Sequence, residues 1–210
     1  FGEKRRSPIS FDEIPPQFIQ ALTAAEDSRF FDHFGIDIKG LSRAAFQLAT
    51  TGHIKSGGST ITMQVAKNFF LTRERTFSRK FMEILLALRI EQELSKEEIF
   101  ELYINKIYLG HRSYGIQAAA NVYYGKDIKD LSLAQHAMIA GLPKAPSAYN
   151  PITNPKRALE RRNWILKRMH SLSFINDQAL EEASTAEVTA KYHTSDIELR
   201  AYYVAEMVRK

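Results

Sequence analysis

The stretch EDSRFFDHFGID, residues 26–37, sets two acids among aromatic residues and a histidine. On a helix Glu26, Phe30 and His33 would share one face, being four and seven positions apart. A carboxylate against an aromatic wall has its charged form desolvated, which lifts its pKa toward the range of a general base. Asp27 can bind a cation or cap a nearby amide; the plainer reading is a surface acidic pair with a structural histidine. The second group is GGSTITMQVAKN, residues 57–68. Its glycines allow a tight turn and Ser59 or Thr60 can cap the helix that follows. Thr60, Gln64 and Lys67 then line a face opposite Ile61, Val65 and Phe69, with Asn68 at its end. Hydroxyls, free amides at a helix start and a lysine suit phosphate or sugar oxygens; an ordinary capped amphipathic helix has the same pattern. The run is not a P-loop, because the GK[ST] ending is absent.

A third group, RERTFSRKFMEILLA at 73–87, repeats Arg75, Arg79 and Glu83 every four residues, with Lys80 beside them. This is either a helix-surface ion pair, contributing about 0.3–0.5 kcal/mol, or a cationic wall for a diphosphate. EIFELYINKIYLG and HRSYGIQAAA, residues 98–120, carry Tyr103, Tyr108 and Tyr114 with Glu101 and Asn105. They are a sugar-binding wall or, as such residues more often are, packing groups. In GLPKAPSAYNP, residues 141–151, Lys144, Ser147 and Asn150 sit on a rigid loop suited to lining a cleft.

The elements that must hold these groups are helices. Pro15–Pro16 suit a helix start, and the pattern over 12–32 runs on toward Gly35, a good left-handed stop. Residues 41–50 are alanine-rich and a new helix begins at Ser59. The clearest helix is 76–94, with Phe77, Phe81, Ile84, Leu85 and Leu88 as an expected apolar stripe. Ser95 to Glu98 and Ser132 to Gln135 read as capping boxes. Residues 156–170 form a basic helix, and 176–186 a short one. No repeat or convincing hairpin occurs, so the predicted class is mainly α.

Composition bounds the remainder. The chain has 210 residues, a net charge of +5 and 44% hydrophobic residues, enough for a packed core. With no cysteine, disulfide scaffolds, zinc ribbons and thiol catalysis are excluded. No apolar run is long enough to span a membrane, and no signal peptide is read. The opening FGEKRRSPIS reads as an excised piece, with any anchor upstream of it. The basic residues alternate with acids, and no nucleic-acid-binding motif is present, so nucleic acid is not an expected partner.

Taken together and in this order, the five groups resemble the motifs of the peptidoglycan glycosyltransferase domain, glycosyltransferase family 51, as found in class A penicillin-binding proteins and closest to their 1A type. The resemblance covers the chain from FGEKRR to the closing AYYVAEMVRK. It departs at Met63, where the family usually has glutamine, and this suggests a hydrogen bond lost at the cleft edge or replaced by packing. It implies a lysozyme-like, two-lobed helical fold: a domain over 1–197 with a small mobile jaw at roughly 43–80, then from 198 to 210 the start of a linker toward a transpeptidase domain.

The activity implied is polymerisation of lipid II at the periplasmic face of a bacterial inner membrane, with an upstream transmembrane anchor. Glu26 is then the expected base. Glu83 orients the cationic wall or the leaving group, and Lys67, Arg75, Arg79 and Lys80 hold diphosphate. Asp27, Phe30, His33, Ser59, Thr60, Gln64, Asn68 and Lys144 complete the expected substrate site. A divalent cation, Mg or Mn, on Asp27 or Glu83 is a candidate cofactor; no organic cofactor is expected. Phe69, Phe70 and Leu71 are candidates for membrane contact. Two rival readings stand beside this one: a lysozyme-like muramidase or lytic transglycosylase, and a catalytically silent lipid-carrier-binding module, which Met63 alone favours.

Overall fold

The structure, a computed structural model, describes residues 8–52, 58–70 and 77–193. Among these residues it is built from nine α-helices and short 3-10 turns, with no strand. They are α1 (Pro16–Glu26), α2 (Ile38–Thr51), α3 (Ile61–Phe70), α4 (Phe77–Glu93), α5 (Lys96–Lys106), α6 (Ile116–Tyr124), α7 (Leu133–Ala140), α8 (Pro155–Ser171) and α9 (Asp177–Thr185). An isolated antiparallel bridge joins Tyr108 and Tyr114. The expected linker at 198–210 lies outside the described residues. So do 53–57 and 71–76 of the expected jaw.

Local signals account for most boundaries. Pro15 and Pro16 open α1, where a missing N–H costs nothing. Both predicted capping boxes form: Ser95 accepts from the Glu98 amide, and Ser132 from that of Gln135. The helix expected over 12–32 instead stops at Glu26. Asp27 leaves helical geometry with φ −159° and ψ 79°, and turns follow as far as Ser28–Ile36. The consequence reaches the site, because Glu26 and His33 no longer share a helix face. Gly35 has φ +76°, and a Cβ there would lie 3.0 Å from the Ala87 carbonyl oxygen of α4. Only glycine fits both the left-handed backbone and that approach.

α1 packs on α7 and α8, and α7 and α9 both pack on α8; α3 packs on α4 and α5. Phe18, Leu22, Phe30, Phe100, Tyr103, Tyr123 and Leu166 are fully buried in the shared core. Residues 191–193 run back along α6, where the Lys191 and His193 amides donate to the carbonyls of Tyr123 and Val122.

The predicted stripe of α4 is turned over. Phe81, Met82 and Leu85 are 60%, 43% and 44% exposed, whereas Glu83, Ala87 and Ile90 face inward. Periodicity located the helix but not its buried face. The inward acid is compensated by cations brought from its own helix, described next.

Candidate active site

Glu26 is the last residue of α1, and its side chain is 13% exposed. Three elements close around it. From α3, the Gln64 Nε2 donates to Glu26 Oε2 at 3.1 Å. From α8, Arg161 Nη2 stands 3.7 Å from Oε1. From α5, the buried Tyr103 hydroxyl donates to Gln64 Oε1 at 3.1 Å. Burial raises the Glu26 pKa above its ordinary value, and the Gln64 hydrogen bond, then Arg161, Lys144 and Lys67, pull it partly back. The result is a carboxyl group moved toward neutral pH and held in one orientation, which is what a general base requires.

Arg161 itself is held by aromatic surfaces. Its guanidinium lies 4.3 Å from the centroid of the half-exposed Trp164 ring and 5.9 Å from that of Tyr149. Tyr149 carries Lys144 on the same footing, with the Nζ 5.9 Å from the ring. Lys67 and Asn68 are exposed at the end of α3. Cations from three parts of the chain therefore gather round one acid.

A second charged group lies at the α3–α4 contact. Glu83 is 3% exposed. Lys80 Nζ donates to Glu83 Oε2 at 2.7 Å and to Ser59 Oγ at 2.8 Å, and Arg79 Nη2 lies 3.4 Å from Glu83 Oε1. This is a bound cation–carboxylate cluster with its lysine side chain 42% exposed, able to offer positive charge at the surface. Ser59 ties the cluster to the same segment that supplies Gln64 to Glu26.

Asp27 has a structural task. Its Oδ2 accepts from the Ile61 amide at 3.1 Å, at the start of α3, and both oxygens lie 2.9–3.0 Å from His33 Nε2. Thr60 reinforces that start: its hydroxyl donates to the Gly35 carbonyl at 2.6 Å and accepts from the Met63 amide at 3.1 Å. An acid favours this place, because the free amides of a helix start carry partial positive charge.

A family model described as transglycosylase matches residues 1–170. The chain belongs to the transglycosylase family. It is 64% identical over 209 residues to penicillin-binding protein 1A of Pseudomonas aeruginosa, and 51% identical over 210 residues to that of Escherichia coli; each match covers 100% of this chain and 25% of the relative. The crystal structure of penicillin-binding protein 1A from Haemophilus influenzae is similar with a TM-score of 0.57 at 32% identity, over 100% of this chain and 21% of that one. The chain thus spans about a quarter of the length of the relatives it matches. Membership makes it a transglycosylase domain, and its mainly α architecture agrees with the lysozyme-like fold the resemblance implied.

Within this transglycosylase domain eight of the expected site residues separate into two sets. Glu26, Gln64, Lys67 and Lys144 converge, and Ser59, Arg79, Lys80 and Glu83 form the neighbouring cluster. Phe30, His33 and Thr60 take supporting places instead of substrate-facing ones. Phe30 is fully buried with its ring 5.8 Å from that of Phe100, His33 is bound to Asp27, and the Thr60 hydroxyl is spent on backbone groups. The aromatic neighbour of the Glu26 carboxylate is accordingly Tyr103, behind Gln64, and not Phe30. Met63 is 1% exposed, so it packs in the core and does not edge the cleft. Arg75 lies outside the described residues.

Arg161 and Tyr103 carry roles that sequence reasoning missed. Tyr103 stood out only as one of several tyrosines, and Arg161 as one of many charges on a basic helix. The available signal for Arg161 was the spacing Arg157, Arg161, Trp164 and Arg168, one continuous face of α8.

The residues present do not fit a resident divalent ion. Asp27 is already engaged by an amide and His33, and Glu83 by two cations. Among the described residues no group of three or more potential ligands occurs.

Proposed function

We propose that this domain polymerises lipid II, joining the sugars of two diphosphate-linked carriers with inversion at the anomeric carbon. Glu26 removes the proton from the acceptor's 4-hydroxyl as that oxygen bonds to the donor's anomeric carbon. The bond from that carbon to the diphosphate oxygen breaks, and undecaprenyl diphosphate leaves with the electron pair. A single displacement requires the base on the face opposite the leaving group. Lys67, Arg79 and Lys80 stabilise the departing diphosphate, joined by Arg75 in the segment between α3 and α4. Fixed charges act in this way without reorganising during reaction. Glu83 keeps Lys80 and Arg79 in place and takes no proton.

The observation that carries the reading is the buried Glu26 carboxylate, raised in pKa and hydrogen-bonded on one oxygen, with Lys67 and Lys144 among the charges acting on it. A glycan hydrolase also uses a buried glutamate but has no diphosphate to neutralise. Met63, the one feature favouring a silent binding module, is core packing.

The outward apolar residues of α4, Phe81, Met82 and Leu85, support contact with a membrane surface, where the polyprenyl tail of the substrate stays. Phe69 is 37% exposed with Lys106 Nζ 4.6 Å from its ring; Leu71 and the side chain of Phe70 lie outside what the structure describes. No helix among the described residues is long and apolar enough to cross a membrane. In this reading the anchor and the transpeptidase domain belong to the longer protein, at the periplasmic face of the inner membrane.

The test is polymerisation of labelled lipid II by the purified chain, with Glu26→Gln beside it and with a chelator in one arm. Glycan from the unsubstituted chain and none from the variant supports the assignment. Near-equal rates would remove Glu26 as base, and cleavage of isolated sacculus without polymerisation would replace the reaction altogether.

A further inference from the structure

Among the described residues no hydrogen bond joins Tyr103 to Glu26, yet Tyr103 holds the side chain that donates to that carboxylate. An ionised carboxylate accepts hydrogen bonds and cannot donate them, so Gln64 must present its amide NH2 to Glu26. Its carbonyl then points the other way, and the Tyr103 hydroxyl donates to it at 3.1 Å. Without that donor, only the carboxylate itself would choose between the amide's two orientations. One of them would aim a carbonyl oxygen at the carboxylate.

We propose that Tyr103 is a positioning residue for Glu26, acting through Gln64. The inference rests on the reading of Glu26 as the base. Tyr103 is 1% exposed and fixed within α5, which packs on α3, so its hydroxyl has a rigid mount. Burial, with Glu26 and Asp27 nearby, holds its pKa well above the ordinary tyrosine range, so the hydroxyl keeps its proton at working pH. The charged or titratable groups acting on Glu26 from the packed elements are Arg161 of α8, Lys144 after α7, Lys67 of α3 and Tyr103 itself. Among the described residues, Gln64 is the side chain that donates a hydrogen bond to Glu26. Its orientation therefore decides both where the carboxylate points and how readily it ionises.

The experiment compares Tyr103→Phe, Gln64→Met and the double variant in lipid II polymerisation, with thermal unfolding of each. Tyr103→Phe should lower kcat by roughly 10- to 100-fold, as small misplacements of a reacting group do, with KM within about twofold. The acid limb of its kcat/KM profile, which reports the free enzyme, should move to higher pH. The double variant should be no slower than Gln64→Met alone, because the hydroxyl acts only through the amide. Losses that multiply in the double variant would overturn the proposal, as would an unshifted limb or an unchanged kcat in Tyr103→Phe. Should Tyr103→Phe fail to fold, Gln64→Met decides: it must show the same upward shift of the limb, and an unshifted limb again overturns the idea. Failure of the underlying reading looks different, since Glu26→Gln would then retain activity or the unsubstituted chain would make no glycan.

Discussion

Glu26 and Glu83 are both acids removed from water, but they are removed in different ways. Glu83 sits in the middle of α4 between Lys80 and Arg79, cations of its own helix three and four residues away. Glu26 ends a helix and meets a neutral amide at hydrogen-bond distance, with the cation Arg161 farther off at 3.7 Å. A carboxylate paired closely with two cations is compensated in its charged form. One held by an amide and distant charges keeps part of its desolvation penalty, and so its appetite for a proton. The comparison supports the proposed division, with proton transfer at Glu26 and charge arrangement at Glu83.

The sharpest way to break this division is to substitute both acids. Glu26→Gln should cost about 10³-fold in kcat for lipid II polymerisation. Glu83→Gln should cost roughly tenfold to a hundredfold, because Lys80 and Arg79 remain but lose their anchor. Equal losses would erase the distinction. Arg161→Ala comes next: removing a charge that favours the ionised form should move the acid limb of the kcat/KM profile to higher pH. An unmoved limb would leave Arg161 a packing residue.

Stability tests the same contrast more gently. Asp27→Ala takes away the acceptor for the Ile61 amide and the partner of His33, and should lower unfolding free energy by about 2 kcal/mol in denaturant titration. Glu26 should behave in the opposite sense. Its folded-state pKa is raised, so protonated Glu26 favours the fold at low pH, and that contribution is lost as pH rises through the folded value. Glu26→Gln should therefore be at least as stable as the unsubstituted chain at pH 7, with the gap closing as pH falls toward 4.5, the ordinary carboxylate value. The smallest effect belongs to Arg89→Ala. It removes an exposed α4 pair with Glu93, worth about 0–1 kcal/mol in thermal or chemical unfolding.

Much of the fold is legible in the chain. The proline entry to α1, both capping boxes and the extents of α4 and α8 follow from signals within a few residues of each other. Two elements were misread. The stretch after Glu26 has helical periodicity, but Asp27 turns away to cap α3, thirty-four residues later, and no local rule foresees a cap supplied from that distance. The α4 stripe has the right spacing and the wrong direction, because Glu83, Ala87 and Ile90 match α3 and α5 while Phe81, Met82 and Leu85 are left outside.

The ordered motifs pointed to Glu26, Gln64, Lys67, Lys80 and Glu83, and the structure brings Gln64 and Lys67 to Glu26 and Lys80 to Glu83. Phe30, His33 and Thr60 came with them because a motif does not separate residues that touch substrate from residues that hold the others in place. Arg161 lies 135 positions from Glu26, and its role is visible only once α8 is packed on α1.

Residue type and short-range spacing determined the helices and their caps, since these depend on groups one or two turns apart, and the ordered motifs marked Glu26 as the candidate base. Packing decided which charges face inward and which oxygen of Glu26 each partner holds. The physical reason is that an ionisable group takes its character from the groups that replace its water, and in this domain those arrive from helices far apart in the chain.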